Sequence, residues 1–171
     1  NTADINGIST FLQQLPDRVY TNTQEYSLYP PQWRNAGTDN PVKNIILIVG
    51  DGTGLPQWYA GYTANKGKLN VFNMRYTGLS KTSSYDNYIT DSAPGATAFS
   101  SGTKTNNRAV GVDHTGHALT LLPEILRQKG MKTGIITSGD LRDATPAAFY
   151  AHQPERSNYK DIANDLLHST L

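Results

Sequence analysis

The fold class of this chain is decided by the stretch NIILIVGDGTG, residues 44–54. Residues 45–49 are apolar on both faces and mostly β-branched, a pattern typical of a central parallel strand. A second apolar run at residues 133–138 has the same character. Helical patterns lie between and after these runs. The alternation predicts an α/β fold with a mostly parallel central sheet and helices on both faces.

The other predicted elements follow from hydrophobic spacing and from helix-breaking residues. Helices are predicted at residues 56–65, 92–101, 121–126, 146–152 and 158–168, with a further strand at 76–84 and an ambiguous element at 69–74. Residues 1–40 are rich in tyrosine, proline, asparagine and glutamine, and they predict an N-terminal arm. Residues 41–171 then form part of a single α/β domain.

Composition restricts the classes of function. The 171 residues carry a net charge of +1, which gives no electrostatic support for a nucleic-acid or anionic-membrane partner. The longest apolar run, residues 45–49, is too short to span a bilayer. Cysteine is absent, so any metal must bind through oxygen or imidazole. The four histidines show no metal-binding pattern on one helix face; they are His114, His117, His152 and His168.

The row of small residues TDSAPGATA, residues 90–98, predicts a helix that begins at or just after Ser92. Free backbone N–H groups and the helix dipole favour negative charge at such a position. Ser92 is therefore a helix cap, a donor to a bound anion, or a nucleophile whose alkoxide is stabilised.

Three acidic residues follow the ends of predicted strands, where α/β sheets bind ligands. Asp51 lies between two glycines, so it is either a hard-oxygen metal ligand or the acceptor of a local turn. Asp143 and Thr145, two residues apart in an extended segment, would point the same way and suit Mg²⁺. The alternative is a helix start with Thr145 as its cap and Pro146 as its first residue. Asp140 follows the same strand.

Arg156 is by default a surface arginine, but its planar guanidinium suits a phosphate if its loop folds back. Together with Ser92 and the aspartates it defines a possible metal-assisted nucleophilic site. A bound Zn²⁺ would favour the serine alkoxide, and Arg156 would hold the non-bridging oxygens of the transferred group.

The order and spacing of these motifs resemble those of the alkaline phosphatases over roughly residues 43 to 157. The matching segments are VGDGTG at 49–54, TDSA at 90–93, Asp113, and DATPA at 143–147. The resemblance implies hydrolysis of phosphate monoesters through a phosphoserine intermediate, with two Zn²⁺ and one Mg²⁺ as cofactors. It also implies a homodimer that is periplasmic or secreted.

The resemblance also implies roles for individual residues. Ser92 would be the nucleophile and a zinc ligand, and Asp51 would bridge that zinc and the magnesium. Asp143 and Thr145 would bind magnesium. Arg156 would bind phosphate, oriented by its neighbour in space, Asp91.

Two departures from the family pattern bear on these implications. The remaining metal ligands of the family lie in a C-terminal half that this chain lacks, so the isolated chain is expected to be inactive or to bind at most Mg²⁺ or phosphate. Pro94-Gly95 interrupts a stretch that is usually richer in alanine and serine, with an expected local effect on the helix start. A sulfatase is the nearest rival enzyme, but Ala96 stands where sulfatase maturation requires arginine. Phosphodiesterase and phosphoglycerate mutase relatives are further alternatives.

Overall fold

The computed structural model describes residues 43–74, 76–169 and 171. They belong to two compact units, one ending at Gly78 and the other spanning Leu79–Leu171. The predicted N-terminal arm, residues 1–40, lies outside the described residues, so its boundary stays a prediction.

The first unit contains the turn that carries Asp51 and a helix, α1, Leu55–Ala64. The N–H of Thr53 donates to the carbonyl of Gly50 at 3.1 Å and closes the turn. Gly54 caps α1, and its N–H donates to the side chain of Gln57 at 3.0 Å. A short 3₁₀ helix follows at Asn70–Asn73, where the sequence left the element type open. The prediction of a helix at 56–65 is confirmed to within one residue.

The second unit contains the four helices that organise the site: α2, Ser92–Ser101; α3, Leu122–Gln128; α4, Ala144–Ala147; and α5, Tyr159–His168. Three of the four predicted helices in this unit match closely, and the predicted helix at 146–152 is replaced by the shorter and earlier α4. None of the helices among the described residues combines the length and apolar character that a membrane crossing requires.

The start of α2 excludes one of the three interpretations of Ser92. Asp91, not Ser92, is the cap: one oxygen of its carboxylate accepts the N–H of Ala93 at 2.9 Å. Ser92 is the first residue of the helix. Pro94 does not interrupt the helix, because a first-turn residue has no intrahelical acceptor for an N–H. The helix ends at Gly102, which takes a left-handed conformation with φ 73°.

The core of the second unit is built from small side chains on α2 and around α4, closed by Ile162 of α5. Its fully or almost fully buried members are Ala93, Ala96, Val110, Ala144, Ala147, Ala148, Tyr150, Ala151 and Ile162. Alanines allow the backbones of α2 and α4 to approach closely. The buried Ser100 hydroxyl then donates to the carbonyl of Ala148 at 2.5 Å, which fixes the two helices against each other.

The predicted strands are not formed among the described residues. Residues 44–49, 76–84 and 133–138 contain no β-ladder; the described pairings are two isolated antiparallel bridges, Val110 with Gln153 and Val112 with Ala118. Ile46 is 85% exposed and Ile136 is fully exposed. A strand forms only when a neighbouring strand pairs with its N–H and C=O groups. An apolar pattern predicts burial but does not provide that neighbouring strand. The parallel sheet is therefore not confirmed.

A polar loop at residues 113–117 closes on Asp113. One oxygen of this carboxylate accepts the N–H and the hydroxyl of Thr115, at 2.8 and 2.7 Å, and the N–H of His117 at 3.0 Å. These hydrogen bonds, led by that from the Thr115 hydroxyl, lower the pKa of Asp113 to about 2. His117 binds the Thr115 hydroxyl, while the His114 ring stacks on Tyr85.

Replacing Asp113 with asparagine should flatten the acid dependence of stability. Because the folded state holds the pKa of Asp113 below its ordinary value of 3.8, the stabilisation is complete above that value and is lost as the pH falls through about 2. The difference in unfolding temperature between the wild type and Asp113→Asn should shrink over this interval. Thermal unfolding followed from neutral pH down to about pH 2 measures it. Thr115→Val should raise the pKa of Asp113, and parallel profiles for all three proteins would contradict the prediction.

Candidate active site

Ser92 lies where α2 presents its free N–H groups. It is the first helical residue after the Asp91 cap, and its side chain is half-buried. The positive end of the helix dipole favours an anion or a developing alkoxide at this end of α2. The local sequence explains the placement, because an aspartate cap and a first-turn proline begin the helix at residue 92.

Arg156 links three of the predicted site residues. Its Nη1 donates to the Ser92 hydroxyl oxygen at 2.8 Å, and its Nη2 donates to Oδ1 of Asp143 at 2.8 Å. Nη1 also lies 3.6 Å from Oδ2 of Asp91. The arginine side chain is only 22% exposed. The two carboxylates therefore hold a mostly buried guanidinium with one of its N–H groups on the serine oxygen.

Asp143 is the cap of α4 as well as the partner of Arg156. Its Oδ1 accepts the N–H of Ala144 at 2.8 Å. The predicted alternative, with Thr145 as the cap and Pro146 as the first helical residue, is wrong by two positions. The extended geometry predicted for Asp143 and Thr145 is also wrong, because Thr145 is the second residue of α4. Asp143 is the N-cap because its carboxylate accepts the first free N–H of the helix.

Two consecutive residues, Asn107 and Arg108, contact the backbone at Asp91 and at Arg156. The Asn107 side-chain oxygen accepts the N–H of Asp91 at 3.1 Å, just before the serine. The carbonyl of Arg108 accepts the N–H of Arg156 at 2.8 Å. Sequence reasoning missed both residues, because it interpreted Asn106-Asn107 only as a loop signal. The sequence pattern contains no signal for contacts between residues so far apart in the chain.

The side chain of Asp140 points to a different partner, although its main-chain carbonyl accepts the N–H of Asp143 at 3.1 Å. This side chain pairs with Arg142, with Oδ2 and Nη2 2.6 Å apart, and that arginine lowers the pKa of Asp140 to about 2. Asp51 lies in the turn of the first unit, which is described by itself.

The oxygen atoms of the site are of the type that binds a hard cation, but too few of them are available among the described residues. Carboxylate and hydroxyl oxygens are ligands that Mg²⁺ accepts. However, the described residues contain no group of three or more histidine, aspartate or glutamate side chains placed to hold a metal ion. Oδ1 of Asp143 is already shared by Arg156 and Ala144. The described part of the chain therefore does not complete a metal site.

The arrangement can bind and stabilise an anion. A guanidinium that donates to the Ser92 oxygen stabilises negative charge on that oxygen, and the α2 N-terminus adds to the effect. The same two guanidinium nitrogens match the spacing of two oxygens on a tetrahedral anion.

A family model described as alkaline phosphatase matches residues 42–169. The chain belongs to the alkaline phosphatase family. It is 38% identical over 135 residues to alkaline phosphatase 4 of Bacillus subtilis, covering 74% of this chain and 29% of that protein. It is 39% identical over 137 residues to the alkaline phosphatase of Escherichia coli, with the same coverage.

Solved alkaline phosphatase structures match the fold as well. The enzyme from the Antarctic bacterium TAB5 superposes with a TM-score of 0.68 at 41% identity, covering 71% of this chain and 36% of that one. A TAB5 alkaline phosphatase mutant with Mg bound in its M3 site gives a TM-score of 0.69 at 42% identity, with 71% and 35% coverage. The described residues therefore have an alkaline phosphatase-like fold. The chain spans less than a third of the curated relatives that it matches.

Proposed function

We propose that this chain carries the nucleophile and the phosphate-binding arginine of a phosphomonoesterase. The observation that supports the proposal most directly is the 2.8 Å hydrogen bond from Arg156 to Ser92 at the start of α2, in a chain of the alkaline phosphatase family. A sulfatase is the runner-up, but this chain has Ala96 where sulfatase maturation requires arginine.

In the proposed reaction, the Ser92 oxygen attacks the phosphorus of a phosphate monoester. The new bond joins the serine oxygen to phosphorus, the bond to the alcohol oxygen breaks, and the departing alkoxide takes a proton from water. The serine proton goes to hydroxide at alkaline pH. Arg156 would bind two non-bridging oxygens, with Asp91 and Asp143 holding its guanidinium in place. Water then attacks the phosphoserine, which releases inorganic phosphate and restores Ser92.

The metal part of the proposal rests on the family and on donor chemistry. Ser92 and Asp51 would bind Zn²⁺, and Asp51, Asp143 and Thr145 would bind Mg²⁺, with two zinc ions and one magnesium ion in the complete site. Bound ions would supply Lewis-acid stabilisation of the oxygens that gain charge. A homodimer and a periplasmic or secreted location are further proposals that rest on the family alone.

The assay is hydrolysis of a chromogenic phosphate monoester at alkaline pH, with Zn²⁺ and Mg²⁺ or with EDTA. Because the chain covers 29% of alkaline phosphatase 4 of Bacillus subtilis, it is tested alone and fused to the part of that relative that follows the matched region. Turnover that EDTA abolishes, by either protein, supports the proposal. A folded fusion protein that hydrolyses no phosphate monoester would contradict it.

A second candidate is that the chain alone binds phosphate without turning over a substrate. The support for this candidate is the mostly buried guanidinium of Arg156, which donates to the Ser92 oxygen at the start of α2 and can bind an anion there. Inorganic phosphate titrated into the chain distinguishes the two, since binding without turnover by the chain, together with turnover by the fusion, assigns the chain a partial site.

A further inference from the structure

Arg108 holds two consecutive residues of the loop that carries Arg156. Its guanidinium makes a two-pronged contact with the Glu155 carboxylate, with Nε to Oε2 at 2.9 Å and Nη2 to Oε1 at 2.7 Å. Its main-chain carbonyl accepts the N–H of Arg156 at 2.8 Å. One residue therefore binds the neighbour of the phosphate-binding arginine through its side chain and that arginine through its backbone.

The backbone of Arg108 suggests that the side chain has a specific task. Its φ is 72°, in the left-handed region, where every residue with a β-carbon meets a steric penalty that glycine avoids. Strained residues of this kind persist where the surrounding contacts require them. A glycine would make the same turn without strain, but it would leave Glu155 without the guanidinium.

The ion pair fixes geometry more than it stabilises the fold. The Arg108 and Glu155 side chains are 55% and 36% exposed, and exposed ion pairs contribute little to stability. Their bidentate contact nonetheless restricts the orientation of both side chains. Oε1 of Glu155 also accepts the N–H and the hydroxyl of Ser157, at 3.0 and 2.9 Å. The hydrogen bond with Arg108 is also the main cause that lowers the pKa of Glu155 to about 2.

We propose that Arg108 is a positioning residue that, through Glu155, fixes the backbone at Arg156 so that its guanidinium reaches Ser92 and Asp143. The preceding residue, Asn107, holds the backbone of Asp91, so two consecutive residues set the spacing between the serine and the arginine. Any effect of Arg108 on catalysis rests on the proposed function, whereas its effect on the backbone at Arg156 is independent of that function.

The test compares Arg108→Gly, Arg108→Lys and Glu155→Gln in the full 171-residue chain. Arg108→Gly removes the guanidinium and suits the positive φ, so its melting temperature should equal or exceed that of the wild type. Hydrogen exchange at the Arg156 amide should become about threefold faster or more in Arg108→Gly and Glu155→Gln, with exchange elsewhere unchanged. Arg108→Lys should restore part of the protection. The double variant Arg108→Gly/Glu155→Gln should exchange its Arg156 amide at about the same rate as either single variant, because both changes remove the same ion pair.

Arg142→Ala is the matched control. Arg142 makes a similar bidentate contact with Asp140, and the two side chains are 49% and 48% exposed. Its loss should leave exchange at Arg156 unchanged. Unaltered exchange at Arg156 in Arg108→Gly would overturn the proposal. Faster exchange throughout the unit with a lower melting temperature would also overturn it, since this would show a merely structural role.

A binding measurement connects the inference to the site. The dissociation constant for inorganic phosphate, followed by ³¹P NMR, should rise about three- to tenfold in Arg108→Gly through misplacement of Arg156. If the folded fusion protein forms no phosphoserine and hydrolyses no phosphate monoester, the proposed function fails. A local change in Arg156 exchange would still support the positioning role, so the two failures are distinguishable.

Discussion

Ser92→Ala should abolish formation of the phosphorylated protein and reduce metal-dependent hydrolysis of a phosphate monoester by a factor of about 10³ or more. The Ser92 oxygen accepts the hydrogen bond from Arg156 and lies at the start of α2, so its removal leaves the bound phosphate without a nucleophile. The protein that turns over the chromogenic monoester is incubated with that substrate and quenched in acid. Mass spectrometry then shows whether the peptide that contains residue 92 has gained a phosphoryl group.

Ser101→Ala is the control for this measurement. Ser101 is the last residue of the same helix, and its hydroxyl donates to the carbonyl of Thr97 at 2.7 Å. Its replacement should leave both the labelling and the rate close to those of the wild type. Equal labelling of the wild type and Ser92→Ala would show that another residue is the nucleophile.

Gly111→Ala should destabilise the second unit by about 3 kcal/mol or more. A β-carbon at residue 111 would collide with the carbonyl oxygen of Ala151, and the φ of 62° adds a steric penalty. The N–H of Gly111 also donates to the Thr97 hydroxyl of α2 at 3.0 Å, and its carbonyl lies 2.7 Å from Nδ1 of His152. Backbone movement to relieve the collision would therefore disturb α2 and the loop that leads to Arg156. Urea unfolding measures the loss.

Gly102→Ala separates the collision from the backbone penalty. Gly102 has a similar φ of 73°, but no atom lies within 4 Å of the position that its β-carbon would take. This variant should lose only about 1–2 kcal/mol. Equal losses in Gly111→Ala and Gly102→Ala would show that the approach of Ala151 does not limit the fold.

The helices were predictable because their signals are local. Spacing of apolar residues placed α3 and α5, the glycine-rich turn that precedes α1 placed that helix, and the small-residue row with Pro94 placed α2. A strand forms only when a second strand pairs with it. The apolar patterns at residues 44–49 and 133–138 do not identify that second strand, so they could not predict whether a sheet forms. The short α4 was misplaced because two capping residues, Asp143 and Thr145, competed, and the carboxylate is the one that binds the first N–H.

The site residues also fall into those that could be predicted from the sequence and those that could not. Ser92 could be placed from the helix start, and the order of motifs pointed to Asp91, Asp143 and Arg156 as its companions. The metal-ligand roles, including that of Asp51, stay predictions. Arg108 could not be found from the sequence, because its importance comes from a backbone contact with a residue 48 positions later along the chain.

The exposed run at residues 45–49 has a consequence for how the chain behaves in concentrated solution. It is uncharged, free of proline and rich in β-branched residues, and it forms no ladder among the described residues. Segments with these properties associate with identical segments of other chains into stacked, amyloid-like strands. Lys43 and Asp51 flank the run with opposite charges, as gatekeeper residues do in aggregation-prone sequences. Self-association of this chain through residues 45–49 would therefore bring charged side chains close to the stacked strands.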